Sequence, residues 1–291
     1  MRELRELAAK LLAEKAVQVV IGWEEGPRGL RPAFITSTAD AERLVFDARA
    51  VHNLVTYLNP RRPQVRRLGK PAIVVKGCDA VAAAALVREG QLARQDVVLI
   101  GVRCGGVAGS PDGPGAALTP DTIAPRCANC PRREPSSCDY VVGPGQEPVA
   151  GGRSLDAHVA ELEGLPPGER WAFWAGEFER CVRCYACRQV CPVCFCERCV
   201  ADKSTPQWID TSPHGRGNLA WHLTRALHAA GRCSGCGECE RACPAGIPLS
   251  LLNRKLQQAA AARFGTAPSE DPAVPAPIGT FKLDDPQEFI L

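Results

Sequence analysis

The sequence lacks any apolar run long enough to cross a bilayer. Its first residues, Met1-Arg2-Glu3-Leu4-Arg5-Glu6, are charged and amphipathic where a signal peptide would carry an apolar core. A cytoplasmic protein without a transmembrane segment is therefore expected. Excess charge of one sign is missing too. The formal net charge is +3, with Lys and Arg spread along the chain, too little for a polyanion-binding surface, so nucleic acid is not an expected partner. No Walker motif, nucleophile elbow or HExxH run occurs, and Gly105-Gly106-Val107-Ala108-Gly109 does not fit GxGxxG.

What the chain has in abundance is cysteine, 16 in 291 residues. They fall in tight clusters of two- and three-residue spacing, where a disulfide framework would scatter them, and this reads as metal ligation. A chain of this length can form two modest domains, each with its own core.

Leu4, Leu7, Ala8, Leu11 and Leu12 recur at helical spacing, so a helix is expected over residues 2–16, followed by strands at 17–22 and 33–36. Apolar residues from Leu44 to Leu58 predict another helix over 40–58, stopped by Pro60. Strand 72–76, helix 79–90 and strand 97–101 form a βαβ crossover, which implies parallel strands and ligands at their carboxyl ends. Residues 105–120 read as a loop and 143–168 as a linker, both rich in Gly and Pro. Helices follow at 168–180, 218–231 and 247–264, with Leu219, Leu223 and Leu227 on one stripe of the middle one. The expected architecture is an α/β domain with parallel βαβ units (1–150), an α-helical two-cluster ferredoxin domain (151–264) and an extended Pro-rich tail (265–291).

Cys181, Cys184, Cys187 and Cys191-Pro192, and again Cys233, Cys236, Cys239 and Cys243-Pro244, are two copies of the bacterial ferredoxin run. Two 4Fe-4S clusters are expected. Because the fourth Cys of such a run usually ligates the other cluster, one site is assigned to Cys181, Cys184, Cys187 and Cys243, and the second to Cys233, Cys236, Cys239 and Cys191. Zinc knuckles also use Cys-x2-Cys, but rarely four Cys in this order.

A third 4Fe-4S site follows from topology. Cys78 and Cys104 stand just after consecutive parallel strands, at one edge of one sheet, and Cys127-x2-Cys130 in the next loop can complete the set, with Cys138 as a substitute. Asp79 as N-cap would put Cys78 beside a positive helix terminus. The alternative is two ordinary buried thiols and half a zinc clip. Cys194, Cys196 and Cys199 could hold a fourth cluster with Cys138 or a partner's ligand, hold zinc, or belong to another partition of the eight ferredoxin cysteines. Trp171, Phe173, Trp174 and Phe178 read as core, or as a shell excluding water from a cluster. His222 could serve as a proton-coupled group or an outer ligand, but with no carboxylate or Cys at ligand spacing His214, His222 and His228 are expected as structural surface histidines.

Three features together resemble a known family: the strand ending Lys76-Gly77-Cys78-Asp79 with the Gly-rich Cys104 turn, the Cys127-x2-Cys130 pair, and Arg183-Cys184-Tyr185-Ala186-Cys187-Arg188 within a dicluster module. That family comprises the 4Fe-4S dicluster proteins related to the beta subunits of deazaflavin-reducing hydrogenases and formate dehydrogenases. The tail, from Phe281 through Asp284-Asp285-Pro286 to Phe289-Ile290-Leu291, also looks like theirs. About forty residues separate the two runs, which is similar to the α-helical ferredoxin of succinate dehydrogenase and heterodisulfide reductase small subunits. The resemblance implies an electron-transfer subunit working with hydrogenase, formate dehydrogenase or heterodisulfide-reductase-type flavoprotein partners in anaerobes. The leading expectation is a relay of single electrons through at least three clusters between larger catalytic subunits, with no bond-making chemistry of its own. Beta subunits of that family bind a flavin, and no residues here match that site, so flavin is unsupported. The rival readings are a flavin-containing subunit that itself reduces a deazaflavin or nicotinamide, and a non-redox zinc scaffold.

Overall fold

The structure, a computed structural model, describes residues 1–109, 118–149 and 151–284. Helix α1 (Arg2–Ala13) buries Leu4, Ala8 and Leu11 and leads into a hairpin of β1 (Val19–Gly26) and β2 (Gly29–Ile35). The short α2 (Pro63–Arg66) precedes the β3 (Pro71–Val75), α3 (Gly77–Arg88), β4 (Val98–Val102) crossover, and α4 (Pro125–Ala128) and β5 (Tyr140–Val142) follow. The sheet order is β2-β1-β3-β4-β5. Only β1 and β2 are antiparallel; Val20 pairs Ala72, Ile73 pairs Leu99 and Gly101 pairs Val141 in parallel ladders. Strands buried on both faces need continuous apolar runs, and Ile73, Val74, Val75, Leu99 and Ile100 supply them.

The second half is helical: α5 (Leu155–Gly164), α6 (Pro167–Glu179), α7 (Ala186–Gln189), α8 (Gly215–Ala229), α9 (Glu238–Arg241) and α10 (Leu249–Phe264). Its core gathers Phe178, Trp221, Ile247 and Leu249 around Cys187 and Cys239. Among the described residues, no helix is long and apolar enough to cross a membrane.

Several expectations are corrected. Residues 40–58 are not one helix but two 3-10 turns, Ala39–Arg43 and Leu54–Leu58. The carboxylate of Asp47 accepts from the N–H of Arg49 at 2.8 Å, and the amide oxygen of Asn53 accepts from that of Val55 at 3.0 Å. Such local bonds compete with helical ones. The stretch 143–168 is not all linker, because Ser154 caps α5 by accepting from the N–H of Ala157 at 3.2 Å. Strand β5, which no apolar periodicity announced, completes the sheet.

Of the leucine stripe of α8, Leu219 packs half-buried on the helical core while Leu223 and Leu227 are exposed; the buried face carries Asn218, Trp221, His222, Arg225 and Ala226. His222, expected at the surface, is 2% exposed. The inner face of α8 meets both kinds of neighbour: Trp221 joins the apolar cluster of Phe178, Ile247 and Leu249, His222 stacks on Phe178, and Arg225 reaches the carbonyl of Cys187.

The tail lies back on the α/β half, where the carbonyls of Pro268 and Val274 accept from Arg132 and Arg88 at 3.0 and 2.9 Å. The Phe289-Ile290-Leu291 terminus lies outside the described residues.

The two halves are tied by polar contacts. Asn59 donates to the carbonyl of Pro192 at 2.9 Å, Arg61 to that of Arg188 at 3.0 Å, and Arg232 forks onto the Glu89 carboxylate at the end of α3 while also donating to the carbonyl of Val193 at 3.1 Å. The Arg232 and Glu89 side chains are only 11% and 17% exposed. Glu89→Ala would leave a guanidinium largely buried without its anion, at a cost of roughly 2–3 kcal/mol. The expected outcome is a lower apparent melting temperature of the anaerobic protein at fixed scan rate, with Glu89→Gln in between because its amide keeps one hydrogen bond.

Candidate metal centres

The two ferredoxin runs share one backbone device. In the first, Arg183 and Tyr185 take left-handed conformations (φ 55° and 59°); in the second, Gly235 and Gly237 do so at the equivalent places (φ 74° and 73°). A left-handed residue costs a non-glycine side chain energy, and the first run tolerates it because its side chains are fixed. Arg183 donates to the Gly217 carbonyl at 2.8 Å and lies over the rings of Tyr185 and Trp221. These turns aim backbone N–H groups at sulfur. Cys181 accepts from the N–H of Arg183, Cys233 from Gly235, and Cys236 from Glu238. Outside these turns Cys104, Cys130 and Cys191 accept in the same way from Gly106, Arg132 and Val193.

Two cavities hold the predicted ligands. The smaller is lined by Cys181, Cys184, Cys187 and Cys243, with Tyr185, Trp221 and His222 around them. The larger is lined by Cys78, Cys104, Cys127 and Cys130 together with Cys191, Cys233, Cys236 and Cys239. The fourth Cys of each run thus lies with the first three of the other. Cys78 starts α3 at the carboxyl end of β3, and Cys104 follows the carboxyl end of β4. Gly77 is required there, since a Cβ on it would collide with the carbonyl oxygen of Arg132 in the loop that carries Cys130.

Apart from the exposed Cys184, the cysteines that line the two cavities are buried or half-buried. Burial pushes the Cys236 thiol up to about 12 and those of Cys104 and Cys187 up to about 11. Thiols crowded this way have no reason to ionise unless a metal takes them up, as coordination deprotonates them outright.

Cations and orphaned polar atoms complete the fit. Lys76, 4% exposed, pairs with Asp79 at 2.8 Å, donates to the carbonyl of His52 at 2.8 Å, and lies 4.4 Å over the Trp23 ring beside Cys78 and Cys104. Both ring nitrogens of His222 and the Nε atoms of Arg183 and Arg225 are buried with no protein partner. His222 is stacked on Phe178 (4.7 Å, 11°), and burial, with Arg225 and Arg183 nearby, pulls it down to about 4, so it is a neutral imidazole facing the smaller cavity. Donor set, inward N–H groups and unpartnered donors all suit anionic iron-sulfur clusters.

The remaining cysteines do not line these cavities. Cys194 is hydrogen-bonded to Cys191, which lowers it to about 7 with help from Arg225, Arg61 and Arg232. Cys196 is exposed, and Cys199 packs on the helical core. Cys138 sits over Gly101 and Pro135 with its thiol pushed up to about 12, by burial first and then by Glu270. Among the described residues, no group of three or more His, Cys, Asp or Glu side chains is placed to hold a single metal ion. Of the four aromatics, Phe178 is buried, Trp174 and Phe173 half-buried and Trp171 exposed. Sequence reasoning missed Lys76, Arg225 and the burial of His222. The available signals were a lysine closing an apolar strand and polar residues at positions 218, 222 and 225, on one face of α8.

Residues 177–247 match the family described as a 4Fe-4S dicluster domain. The chain is 33% identical over 114 residues to a Methanocaldococcus jannaschii protein named F420-dependent formate dehydrogenase subunit beta, covering 39% of this chain and 28% of that one. It is 34% identical over 106 residues to the F420-dependent formate dehydrogenase 1 subunit beta of Methanococcus maripaludis, covering 36% and 27% respectively. The chain therefore spans just over a quarter of the length of the curated relatives it matches.

The crossed arrangement has a direct check in iron content. Cys184→Ser and Cys243→Ser, sharing one cavity, are expected to lose up to about four irons each and no more when combined, whereas Cys184→Ser with Cys239→Ser is expected to lose up to about eight. Additive losses for the first pair would rule out the crossing.

Proposed function

We propose that the chain is an iron-sulfur relay that carries single electrons through three 4Fe-4S clusters between catalytic subunits of a redox complex. The observation that carries this is the larger cavity, whose lining joins the cysteines of the α/β half to Cys233, Cys236 and Cys239 of the second run and Cys191 of the first. Residues 1–150 serve as an α/β unit holding one cluster with Cys78, Cys104, Cys127 and Cys130. Residues 151–264 serve as the helical dicluster unit, and 265–291 as a tail. The clusters would supply one-electron storage at each site, and the protein's part is to hold, order and insulate them.

The lining residues support an order. The α/β set shares its cavity with Cys191, Cys233, Cys236 and Cys239, and Cys187, which lines the smaller cavity, lies close enough to Cys239 to feel its charge. At the far end Cys184 is exposed and Val182 is 62% exposed, which suits an exit to a partner. A partner of formate dehydrogenase type is supported by the names of the two relatives.

Iron, acid-labile sulfide and zinc per chain on anaerobically purified protein test the count. About twelve irons are expected from about four per cubane; about eight irons with stoichiometric zinc would reduce the N-terminal set to a structural clip. In the assembled complex, Cys184→Ser is expected to abolish electron flow between subunits while leaving the partner's own artificial-dye activity intact. Equal loss of both activities would count against a pure relay.

A further inference from the structure

We infer that Arg225 is a positioning residue that couples the two clusters of the helical unit, its guanidinium acting as one fixed positive charge shared by both sets of thiolates. The inference rests on the relay reading above and adds to it the group that sets how readily each of the two sites accepts an electron.

The geometry is specific. Arg225 lies on the inner face of α8, 6% exposed. It donates through Nη2 to the carbonyl of Cys187, a ligand position of the smaller cavity, at 3.2 Å. It also lines the larger cavity together with Cys239 and Cys191. Its Nε has no protein partner.

Among the described residues Arg225 makes no ion pair with a carboxylate, in contrast to Lys76 with Asp79 and Arg232 with Glu89. An uncompensated buried guanidinium is expensive. The anionic groups the structure brings to it are sulfurs, drawn from both runs. A guanidinium keeps its proton at ordinary pH, so the natural counter-charge of Arg225 is the pair of clusters.

A positive charge placed between two sites stabilises the added electron at either one, so it raises both affinities together and leaves the difference between them small. Passage from one site to the other moves one electron, oxidising the donor cluster and reducing the acceptor, with no proton transferred by Arg225. A guanidinium, which does not deprotonate at ordinary pH, keeps this stabilisation constant where an imidazole would make it pH-dependent.

The test is a dithionite titration of the full-length, iron-loaded chain followed by electron paramagnetic resonance, comparing the native protein with Arg225→Lys and Arg225→Met. For Arg225→Met, the reduction equilibrium of both helical-unit clusters is expected to weaken tenfold or more, about 59 mV for one electron. The Cys78 cluster, which has Lys76, is expected to move much less. Arg225→Lys should retain most of the native value, because it keeps the charge while losing the fork. Unchanged potentials in Arg225→Met, a shift at one cluster only, or an equal fall in Arg225→Lys would each overturn the inference. If Arg225→Met fails to load iron, Arg225→Gln takes its place beside Arg225→Lys with the same expectations. A native chain with fewer than about eight irons would instead sink the cluster reading, so the two failures are distinguishable.

Discussion

Twelve thiols packed into two cavities impose the constraint from which most of this structure follows. Each thiolate that binds metal brings negative charge into a medium that solvates it poorly. The protein answers with partial and full positive charges at short range. Backbone N–H groups two residues beyond Cys104, Cys130, Cys181, Cys191, Cys233 and Cys236 point at sulfur. Lys76, Arg183 and Arg225 are buried beside the sites. The left-handed turns at Arg183, Tyr185, Gly235 and Gly237 exist to aim those N–H groups, and the polar inner face of α8 exists to deliver Asn218, His222 and Arg225. Asn218 shows the structural half of that task, donating to the carbonyls of Phe178 and Cys181 at 2.9 and 2.8 Å and so pinning the entry to the first run.

The sheet serves the same end from the other side. Parallel strands end together, so β3 and β4 deliver Cys78 and Cys104 to one cavity, whose lining the helical half completes. Neither half encloses that cavity alone. The Glu89–Arg232 pair and the Asn59 and Arg61 contacts therefore also set the distance between the two groups of thiols, and Gly77 lets the Cys130 loop close down on them.

Legibility in the sequence tracked the range of the interactions involved. The βαβ unit was readable because Ile73, Val74, Leu99 and Ile100 are buried on both faces and must be apolar. The ferredoxin runs were readable because ligand spacing is local. Residues 40–58 misled because their apolar periodicity is real but Asp47 and Asn53 hold the backbone in turns. Strand β5 is three residues long and takes its definition from pairing with β4. The α8 stripe misled most usefully, since Leu223 and Leu227 are exposed and the buried face is the one with Asn218, Trp221, His222 and Arg225.

By itself the sequence determined the dicluster character of the C-terminal half, the parallel crossover, and the candidate partners Cys78, Cys104, Cys127 and Cys130, because spacing and strand order are properties of contiguous chain. Tertiary structure alone decided that the α/β cysteines share a cavity with those of the second run, that Cys194, Cys196 and Cys199 lie outside both cavities, that His222 is buried neutral, and that Arg225 lines the larger cavity while bonding the carbonyl of Cys187. Those outcomes depend on which faces of distant segments meet. No local periodicity records that, since a buried charge is stable only beside the counter-charge that folding brings to it.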